Sequence, residues 1–208
     1  MIFFEKMRFY FRLWGIKGGI GFFMKLLCDG SEKVYSMELD SQNQDKLKPD
    51  DFGLEFHLID DCKSYDAISV EYAKIKGEGL VRKDRDRVVA AKEYIAVIYR
   101  NNCLAGWGWV KKGPLVYCNF SLMEHDCVIH KCRTLRNHRR KGVYAFLLEQ
   151  LKFVLRERGF RKVYISSKSF NKASLGGIEK AGFRFIGEYN PGSYIHRLLR
   201  KVFNLNAD

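Results

Sequence analysis

Hydrophobic and polar residues follow two periods along the chain from residue 54 onward. Alternation with a period of two, bounded by turn residues, predicts strands. A hydrophobic repeat near 3.6 residues predicts helices that bury one face. The predicted strands are 54–59, 93–99, 103–110, 115–120, 127–134, 162–167, 183–187 and 194–199. The predicted helices are 61–75, 143–158 and 171–181, and the charged segment 84–92 fits either a helix or a turn.

The order of these elements indicates one mixed α/β domain over residues 51–208. The turn at 100–102 joins two strong strands into a β-hairpin. Farther along, a strand, a basic loop, a helix and a second strand follow one another over 127–167, as in a βαβ unit. We therefore expect an α/β (α+β) fold in which helices flank a sheet.

Residues 1–50 differ from this domain and predict a helical appendage followed by a hinge. The first 28 residues contain five basic residues and one acidic residue among many aromatic ones. Charges interrupt every apolar run, so this segment is not a secretory signal. The glycines at 18, 19 and 21 divide it into two short amphipathic helices. Such helices suit either an anionic membrane surface or packing on the main domain or a second copy of the chain. The polar segment 40–51 predicts the hinge.

The net charge of +13 predicts an anionic partner. The chain is 47% hydrophobic and 29% charged, which indicates a globular rather than a disordered protein. A phosphate-bearing cofactor, a nucleic acid and an anionic membrane would all match the charge. Residues 131–162 contain eleven basic and two acidic residues. This clustering at one loop and helix argues against a nucleic acid, which needs basic residues along a groove-sized surface.

The six cysteines indicate a reducing compartment. They are spread through the chain without a Cys-x-x-Cys pair, unlike the cysteines of a disulfide scaffold. We expect a cytoplasmic protein, either free or peripheral at the inner face of a membrane. The residue types of Cys127, His130 and Cys132 would suit zinc, but strand alternation puts Cys127 on the face opposite the other two. No metal site is therefore predicted.

A basic loop at 136–142 lies directly before the helix predicted at 143–158. Its basic residues are Arg136, His138, Arg139, Arg140 and Lys141. The free amides at a helix N-terminus, with the helix dipole behind them, bind anions, and Gly142 would let the backbone come close to one. A ligand with a pyrophosphate explains this loop most simply. A solvated loop or a nucleic-acid patch would share its composition.

Two motifs here resemble those of the GNAT superfamily of acyl-CoA-dependent N-acetyltransferases. The family's cofactor motif, Arg/Gln-x-x-Gly-x-Gly/Ala, is matched by 139–144 (RRKGVY), where Tyr144 stands in the place of the last small residue. The second motif is an Asn followed eleven and twelve residues later by Gly-Phe, as in 171–183 (NKASLGGIEKAGF). The resemblance spans about 54–199 and is strong over 127–187.

The resemblance implies a mixed, mostly antiparallel sheet flanked by helices, with central strands that splay apart. Acetyl-CoA or another acyl-CoA would lie between them as the co-substrate. The residues that the resemblance carries over as cofactor-binding are Cys132, Thr134, Arg139, Arg140, Lys141, Gly142, Val143, Tyr144 and Asn171. The backbone of Cys132 and Thr134 would hold the thioester and pantetheine, the loop would hold the pyrophosphate, and Asn171 would contact the pantetheine arm.

One functional position departs from the family pattern. Many relatives carry a Tyr seven residues after the Asn, where it protonates the departing thiolate. This chain has Ile178 at that position. Tyr189 or Tyr194 would have to replace that group, unless the thiolate leaves with the help of solvent; we select Tyr189 as the candidate.

Acyl transfer to an amine needs the neutral amine and therefore a base near the thioester. His130 is the first candidate, because its reference pKa suits neutral pH and it lies two residues from Cys132. Glu124, acting through a water molecule, is the second. Alternation gives both candidates, Asp126 and Cys132 the same strand face. A histidine that only makes a structural hydrogen bond would fit the sequence as well.

We therefore expect an N-acyltransferase that moves an acetyl or other acyl group from coenzyme A to the amine of a small molecule, such as an amino sugar or glycan precursor. A strongly basic protein should repel lysine-rich peptides. The alternative is a catalytically inactive module of the same fold that binds coenzyme A or regulates another protein, which Tyr144 and Ile178 favour. A nucleic-acid-binding protein is less consistent with the clustered charge. Trp107 and Trp109 share a strand face, which fits core packing or a sugar-stacking platform.

Overall fold

A computed structural model describes residues 31–39, 53–90 and 93–190, which form nine strands and four helices. The strands are β1 (Glu32–Glu38), β2 (Leu54–Ile59), β3 (Glu93–Arg100), β4 (Cys103–Lys112), β5 (Leu115–Tyr117), β6 (Phe120–Leu122), β7 (Asp126–Thr134), β8 (Lys162–Lys168) and β9 (Arg184–Tyr189). The helices are α1 (Cys62–Lys76), α2 (Glu78–Val89), α3 (Val143–Glu157) and α4 (Lys172–Lys180). The expected appendage at 1–28, the hinge at 40–51 and the strand at 194–199 lie outside the described residues.

Seven strands form one sheet in the order β2-β3-β4-β7-β8-β1-β9. β7 and β8 run parallel, with α3 between them in the chain, and every other neighbouring pair in this sheet is antiparallel. A parallel pair needs such a crossover because its strands start at the same edge. The expected mixed, mainly antiparallel sheet flanked by helices is confirmed.

Helices cover both faces of the sheet. α3 and α4 pack on one face, where the apolar stripe of α3 joins a core cluster that includes Leu147, Leu151 and Ile178. α1 and α2 pack on the other face around Trp107 and Trp109, which are 1% and 0% exposed. Both tryptophans therefore serve as core residues, and neither has a free ring face for stacking on a sugar.

β1 lies between β8 and β9 and belongs to the folded domain, although the sequence patterns did not predict this strand. Val34 and Tyr35 are buried, and the Tyr35 hydroxyl donates to Glu179 Oε1 of α4 at 2.8 Å. The ion pair between Glu38 and Lys162 ties β1 to β8 at 2.8 Å. The domain boundary expected at residue 51 therefore comes after at least one strand of the sheet. Its buried positions, 34–36, are consecutive and flanked by polar residues, so the strand lacks the alternation with a period of two that predicts strands.

The segment 115–120, expected as one strand, is a hairpin of two short strands. Cys118 and Asn119 have φ values of 50° and 67°, which turns the chain back and pairs β5 with β6. This hairpin packs through Leu122 on Val128 and Tyr164, on the same face of the sheet as α1 and α2. Within the described ranges, no helix is long and apolar enough to cross a membrane.

Candidate active site

β7 and β8 separate halfway along their length. Their parallel pairing begins at Asp126 with Lys162 and ends at Ile129 with Ile165, whereas β7 continues to Thr134 and β8 to Lys168. The next residues in register, His130 and Ser166, are the first that do not pair. We call the opening between 130–134 of β7 and 166–168 of β8 the cleft. The resemblance implied central strands that splay apart, and the early end of β7–β8 pairing agrees with this expectation.

A β-bulge at Lys131 changes which face the β7 side chains occupy. Trp109 of β4 pairs with His130, while Trp107 pairs with Arg133, so β7 has an extra residue there. Lys131 has φ 52°. The expectation that His130 and Cys132 share a face is wrong, because a bulge shifts the alternation by one residue. Cys132 faces α3, since a Cβ added at Gly108 would lie 3.0 Å from its Sγ and 3.1 Å from Leu147.

The backbone of β7 offers hydrogen-bonding groups to the cleft. Leu135 donates its N–H to Ala105 of β4 at 2.9 Å. Alternation along the strand therefore turns the N–H and C=O of Thr134 and Cys132 toward the cleft. Both carbonyls accept hydrogen bonds from arginines: that of Cys132 from Arg133 Nη1 at 2.8 Å, and that of Thr134 from Arg139 Nε at 3.4 Å.

The loop before α3 has an open backbone. Arg140 and Gly142 have φ values of 60° and 76°, and a Cβ added at Gly142 would meet no atom within 4 Å. No side chain caps the start of α3, so the first amides of this helix lack an intrahelical partner. Burial, Arg136 and Arg133 lower the pKa of Arg139. Free amides at a helix start and crowded positive charge are the two features with which proteins bind anions.

Two further cofactor-binding candidates, Val143 and Asn171, have structural contacts. Val143 is buried in the core, where a Cβ at Gly106 would lie 3.1 Å from its Cγ1. Only its backbone is thus available to a ligand. Asn171 caps α4, because its Oδ1 accepts from Ser174 N at 3.4 Å.

The Tyr144 side chain crosses from α3 to α4. Its hydroxyl lies 3.3 Å from Ser174 Oγ, and a Cβ at Gly177 would be 2.7 Å from its ring. Burial, as the largest cause, raises the Tyr144 pKa well above the ordinary range, and Cys132 adds to this. Ile178, on the same helix, is fully buried in the core and contributes no polar group. Tyr144 therefore closes the space between α3 and α4 beside the cleft.

His130 lies on the α1–α2 face, beside a carboxylate that sequence analysis did not select. His130 Nε2 is 3.3 Å from Glu93 Oε2, although the two atoms are not aligned as a hydrogen bond. Burial lowers the pKa of His130, Glu93 opposes this, and Lys131 and Arg87 add to it. Glu93 opens β3 next to a Tyr, a pattern that gives no sign of its partner. The imidazole is therefore neutral at pH 7. The Glu93 carboxylate is close enough to stabilise the protonated form of the ring.

Cations surround this pair. Lys76 and Arg87 both bind Asp84, which is buried. Burial is the largest cause that lowers the Lys131 pKa to about 8, with Arg87 next. Lys131 Nζ lies 5.8 Å from the centroid of the Trp109 ring. The β7 side of the cleft is thus positive.

A chain of hydroxyls lies on the β8 side and was also missed from sequence. The Tyr117 hydroxyl of β5 is 2.7 Å from Ser166 Oγ, and Ser166 donates to Glu32 Oε2 at 2.6 Å. These residues come from three distant segments, and the hairpin that brings Tyr117 here was expected to be a straight strand. No local sequence signal could have linked them.

The other two catalytic candidates lie away from His130. Glu124 is exposed in the turn before β7, at the paired end of the strand. Four residues of extended chain, about 13 Å, separate Asp126 from His130. Tyr189 pairs with Glu32 at the far side of β1, so it is two strands from β8. Neither residue is brought together with His130.

No group of three His, Cys, Asp or Glu side chains with metal-site geometry occurs among the residues described here. Cys127 and His130 lie on opposite faces of β7, as expected. Cys132 joins Cys127 on the α3 side because of the bulge, so the three residues still do not meet at one point.

Sequence comparison gives a clear family match. The profile of the acetyltransferase (GNAT) family matches residues 62–183, more than half of the chain. No curated protein matches the chain significantly.

Solved structures share the fold at low sequence identity. One is a tandem GNAT protein from the clavulanic acid biosynthesis pathway, 18% identical with a TM-score of 0.54, covering 78% of this chain and 52% of that chain. A GNAT-family acetyltransferase from Colwellia psychrerythraea is 12% identical with a TM-score of 0.53, covering 76% and 53%. A GCN5-related N-acetyltransferase from Sphaerobacter thermophilus is 16% identical with a TM-score of 0.51, covering 83% and 54%.

The chain spans about half the length of these structures, so the likeness concerns the fold. The profile match covers α1 through the residue before β9, including β7, the basic loop and α4. On this match, the chain belongs to the acetyltransferase (GNAT) family.

Proposed function

We propose that the protein is an acyl-CoA-dependent N-acyltransferase that acts on a small amine. The observation that carries this proposal is the end of β7–β8 pairing at Ile129 and Ile165, in an opening whose far end, at Thr134, lies close to the uncapped start of α3. An open strand edge and an anion site at one place suit an elongated ligand with a pyrophosphate. Family membership gives the class of reaction.

The residues of the cleft fit coenzyme A. The open space at Gly142 and the amides of Val143 and Tyr144 would receive the pyrophosphate, with Arg139, Arg140 and Lys141 supplying positive charge. The cleft-facing backbone of Cys132 and Thr134 would hold the pantetheine and polarise the thioester carbonyl. When bound, the acyl-CoA supplies an activated carbonyl and a thiolate leaving group.

His130 is the proposed base. Its lowered pKa keeps the ring neutral at pH 7, and Nε2–H toward Glu93 would leave the lone pair on Nδ1. During attack, His130 takes a proton from the amine nitrogen as the C–N bond forms and the C–S bond breaks. It then returns this proton to the thiolate. Such a route needs no Tyr at position 178.

For the acceptor, we propose a small amine such as an amino sugar or glycan precursor, and more readily one that carries a phosphate or carboxylate. Lys131 and Arg87 near His130, together with Arg133 farther along β7, support an anionic group on the acceptor. Spread, unpaired cysteines support a reducing, cytoplasmic location. A peripheral position at a membrane, or a dimer, through residues 1–28 is proposed on their basic and aromatic composition alone.

A catalytically inactive coenzyme A-binding module is the second candidate. The Tyr144 phenol against Ser174 and Gly177 favours it, because that side chain narrows the space between α3 and α4. Ile178 also leaves the family's usual acid position without a polar group.

One experiment separates these candidates. The full chain is tested for binding of coenzyme A by calorimetry and, with acetyl-CoA, for amine-dependent release of free thiol. The amines are glucosamine, glucosamine 6-phosphate, phosphoethanolamine and glycine, and mass spectrometry identifies the amide. Binding with amine-dependent thiol release supports the enzyme. Binding without release on any amine supports the inactive module, and absence of binding overturns both.

A further inference from the structure

Resting on the proposed function, we infer that Tyr117, Ser166 and Glu32 form a proton relay on the β8 wall of the cleft. In this relay, the Tyr117 hydroxyl oxygen receives the first proton of the acceptor's ammonium group, and Glu32 passes it to solvent. The relay would make the ammonium form of the acceptor usable at neutral pH. None of these residues belongs to the family motifs matched above.

The contacts are short and continuous. Tyr117 Oη lies 2.7 Å from Ser166 Oγ, and Ser166 Oγ donates to Glu32 Oε2 at 2.6 Å. Lys168 Nζ binds the other carboxylate oxygen, Oε1, at 3.0 Å. The Glu32 side chain is 25% exposed, so the far end of the chain reaches water.

These contacts fix the direction of proton flow. Ser166 has a single hydroxyl proton, which it donates to Glu32, so Tyr117 must donate its own proton to Ser166. The lone pairs of Tyr117 Oη remain to accept a proton from a third group. Because the chain ends in a carboxylate, it draws protons away from its starting point rather than supplying them.

Ser166, the middle residue of the chain, lies where the cleft begins. Ser166 is the first β8 residue after the last pair, and His130 is its counterpart on β7. His130 pairs with Trp109 of the α1–α2 core cluster, and Ser166 contacts Tyr117 of the β5–β6 hairpin, so both side chains lie on the face that carries these elements. An amine between the two strands would therefore have His130 on one side and the Tyr117 hydroxyl on the other.

The reaction removes two protons from the acceptor's ammonium group, and the proposal assigns each of them to a different acceptor. An ammonium group that becomes a secondary amide loses two protons. The first moves to Tyr117 Oη while the Tyr117 proton moves to Ser166 and that of Ser166 to Glu32, and it leaves for solvent. The second moves to His130 as the C–N bond forms, and it ends on the thiolate sulfur. The net release is one proton for each amide formed.

The groups that face Tyr117 keep its hydroxyl protonated. Burial, as the largest cause, raises its pKa above the ordinary range, and Cys118, Glu32 and Cys132 add to this while Ser166 opposes it. Cys118 Sγ lies 3.9 Å from Glu32 Oε2, and burial raises the pKa of Cys118 to about 11. Lys168 contacts the chain through Glu32. Neither hydroxyl nor thiol here ionises near neutral pH, so proton transfer along the chain is concerted.

The test compares Tyr117→Phe with wild type on whichever panel amine the wild type acetylates fastest. At a pH one unit below the amine's own pKa, kcat/KM should fall by about tenfold or more. The deficit should shrink as pH rises past that pKa, because the free amine needs no relay. Ser166→Ala should give the same pH-dependent loss. Tyr164→Phe, which removes a hydroxyl from the same apolar patch, is the matched control and should follow the wild-type profile.

Each outcome decides between the proposals. A Tyr117→Phe deficit of the same size at every pH, or no deficit, overturns the relay while the acyltransferase activity stands. A Tyr164→Phe profile equal to that of Tyr117→Phe also overturns it, because the effect would then be one of packing. Absence of wild-type turnover on every amine overturns the proposed function and, with it, the relay.

Discussion

The two walls of the cleft differ in their chemistry. The β7 wall is positive: it holds Lys131 and Arg133 and leads into the basic loop before α3. The β8 wall offers hydroxyls and one carboxylate, from Tyr117, Ser166 and Glu32. The two strands are still hydrogen-bonded neighbours one residue before they separate. Even so, the side chains on the two walls favour groups of opposite charge.

Under the proposed function, this difference indicates how one opening would place the acyl-CoA and the amine relative to each other. An anionic ligand is attracted along β7 toward the start of α3, where amides and cations converge. A protonated amine finds hydrogen-bond acceptors on β8 and repulsion on β7. Charge therefore favours the arrangement in which the amine meets the acyl group from the β8 side.

The largest effect is expected when a negative charge enters the β7 side. Gly142→Asp puts a carboxylate where the pyrophosphate is expected, and like charges about 4 Å apart repel by about 4 kcal/mol at an effective dielectric constant of about 20. We expect coenzyme A affinity to fall at least about a hundredfold, measured by calorimetry. The left-handed φ of 76° adds about 1–2 kcal/mol of strain.

Gly159→Asp is the matched control for this change. Gly159 follows the other end of α3, has φ 81°, and also has no atom within 4 Å of an added Cβ. The strain is thus similar and the anion site is untouched. Equal losses of coenzyme A affinity in the two variants would mean that folding, not the anion site, is affected, and the assignment of the β7 side would fail.

The two walls also differ in how far the sequence could predict them. Arg139, Gly142 and Asn171 lie in short contiguous motifs, and local patterns placed them on the correct elements. The residues Tyr117, Ser166 and Glu32 are joined only by tertiary structure, through a hairpin and a strand that no local pattern predicted. Likewise, the bulge at Lys131 moved Cys132 to the other face, because alternation assumes one residue of each strand per ladder position.

Substitution of His130 tests whether the positively charged β7 wall also supplies the base. His130→Gln removes the base but keeps a polar partner for Glu93, and kcat should fall by about a hundredfold or more, with coenzyme A affinity unchanged. Glu93→Gln should lower kcat less than His130→Gln does. Since Glu93 raises the His130 pKa against burial, its loss lowers that pKa further, so the acid limb of kcat/KM should move to lower pH.

His57→Gln is the control for these two variants. Its side chain is 55% exposed on β2, far from β7 in the strand order, and its kinetics should match wild type. An acid limb that moves to higher pH in Glu93→Gln would contradict the pairing with His130. If His130→Gln keeps wild-type turnover, His130 is not the base, and of the two proposed proton acceptors only the Tyr117–Ser166–Glu32 relay remains.

The smallest effect concerns the place where α3 meets α4 beside both walls. A Cβ at Gly177 would lie 2.7 Å from two atoms of the Tyr144 ring, whereas Gly176, one residue earlier in the same helix, has no atom within 4 Å. Gly177→Ala should therefore lower the free energy of unfolding by about 1–3 kcal/mol through overpacking. Gly176→Ala should raise it by about 0.5–1 kcal/mol through helix propensity. Urea denaturation of both variants, and of Gly177→Ala combined with Tyr144→Leu, measures the contact. If the second substitution fails to restore stability, Tyr144 does not fill the space between these helices, and the narrowing that favours an inactive module loses its basis.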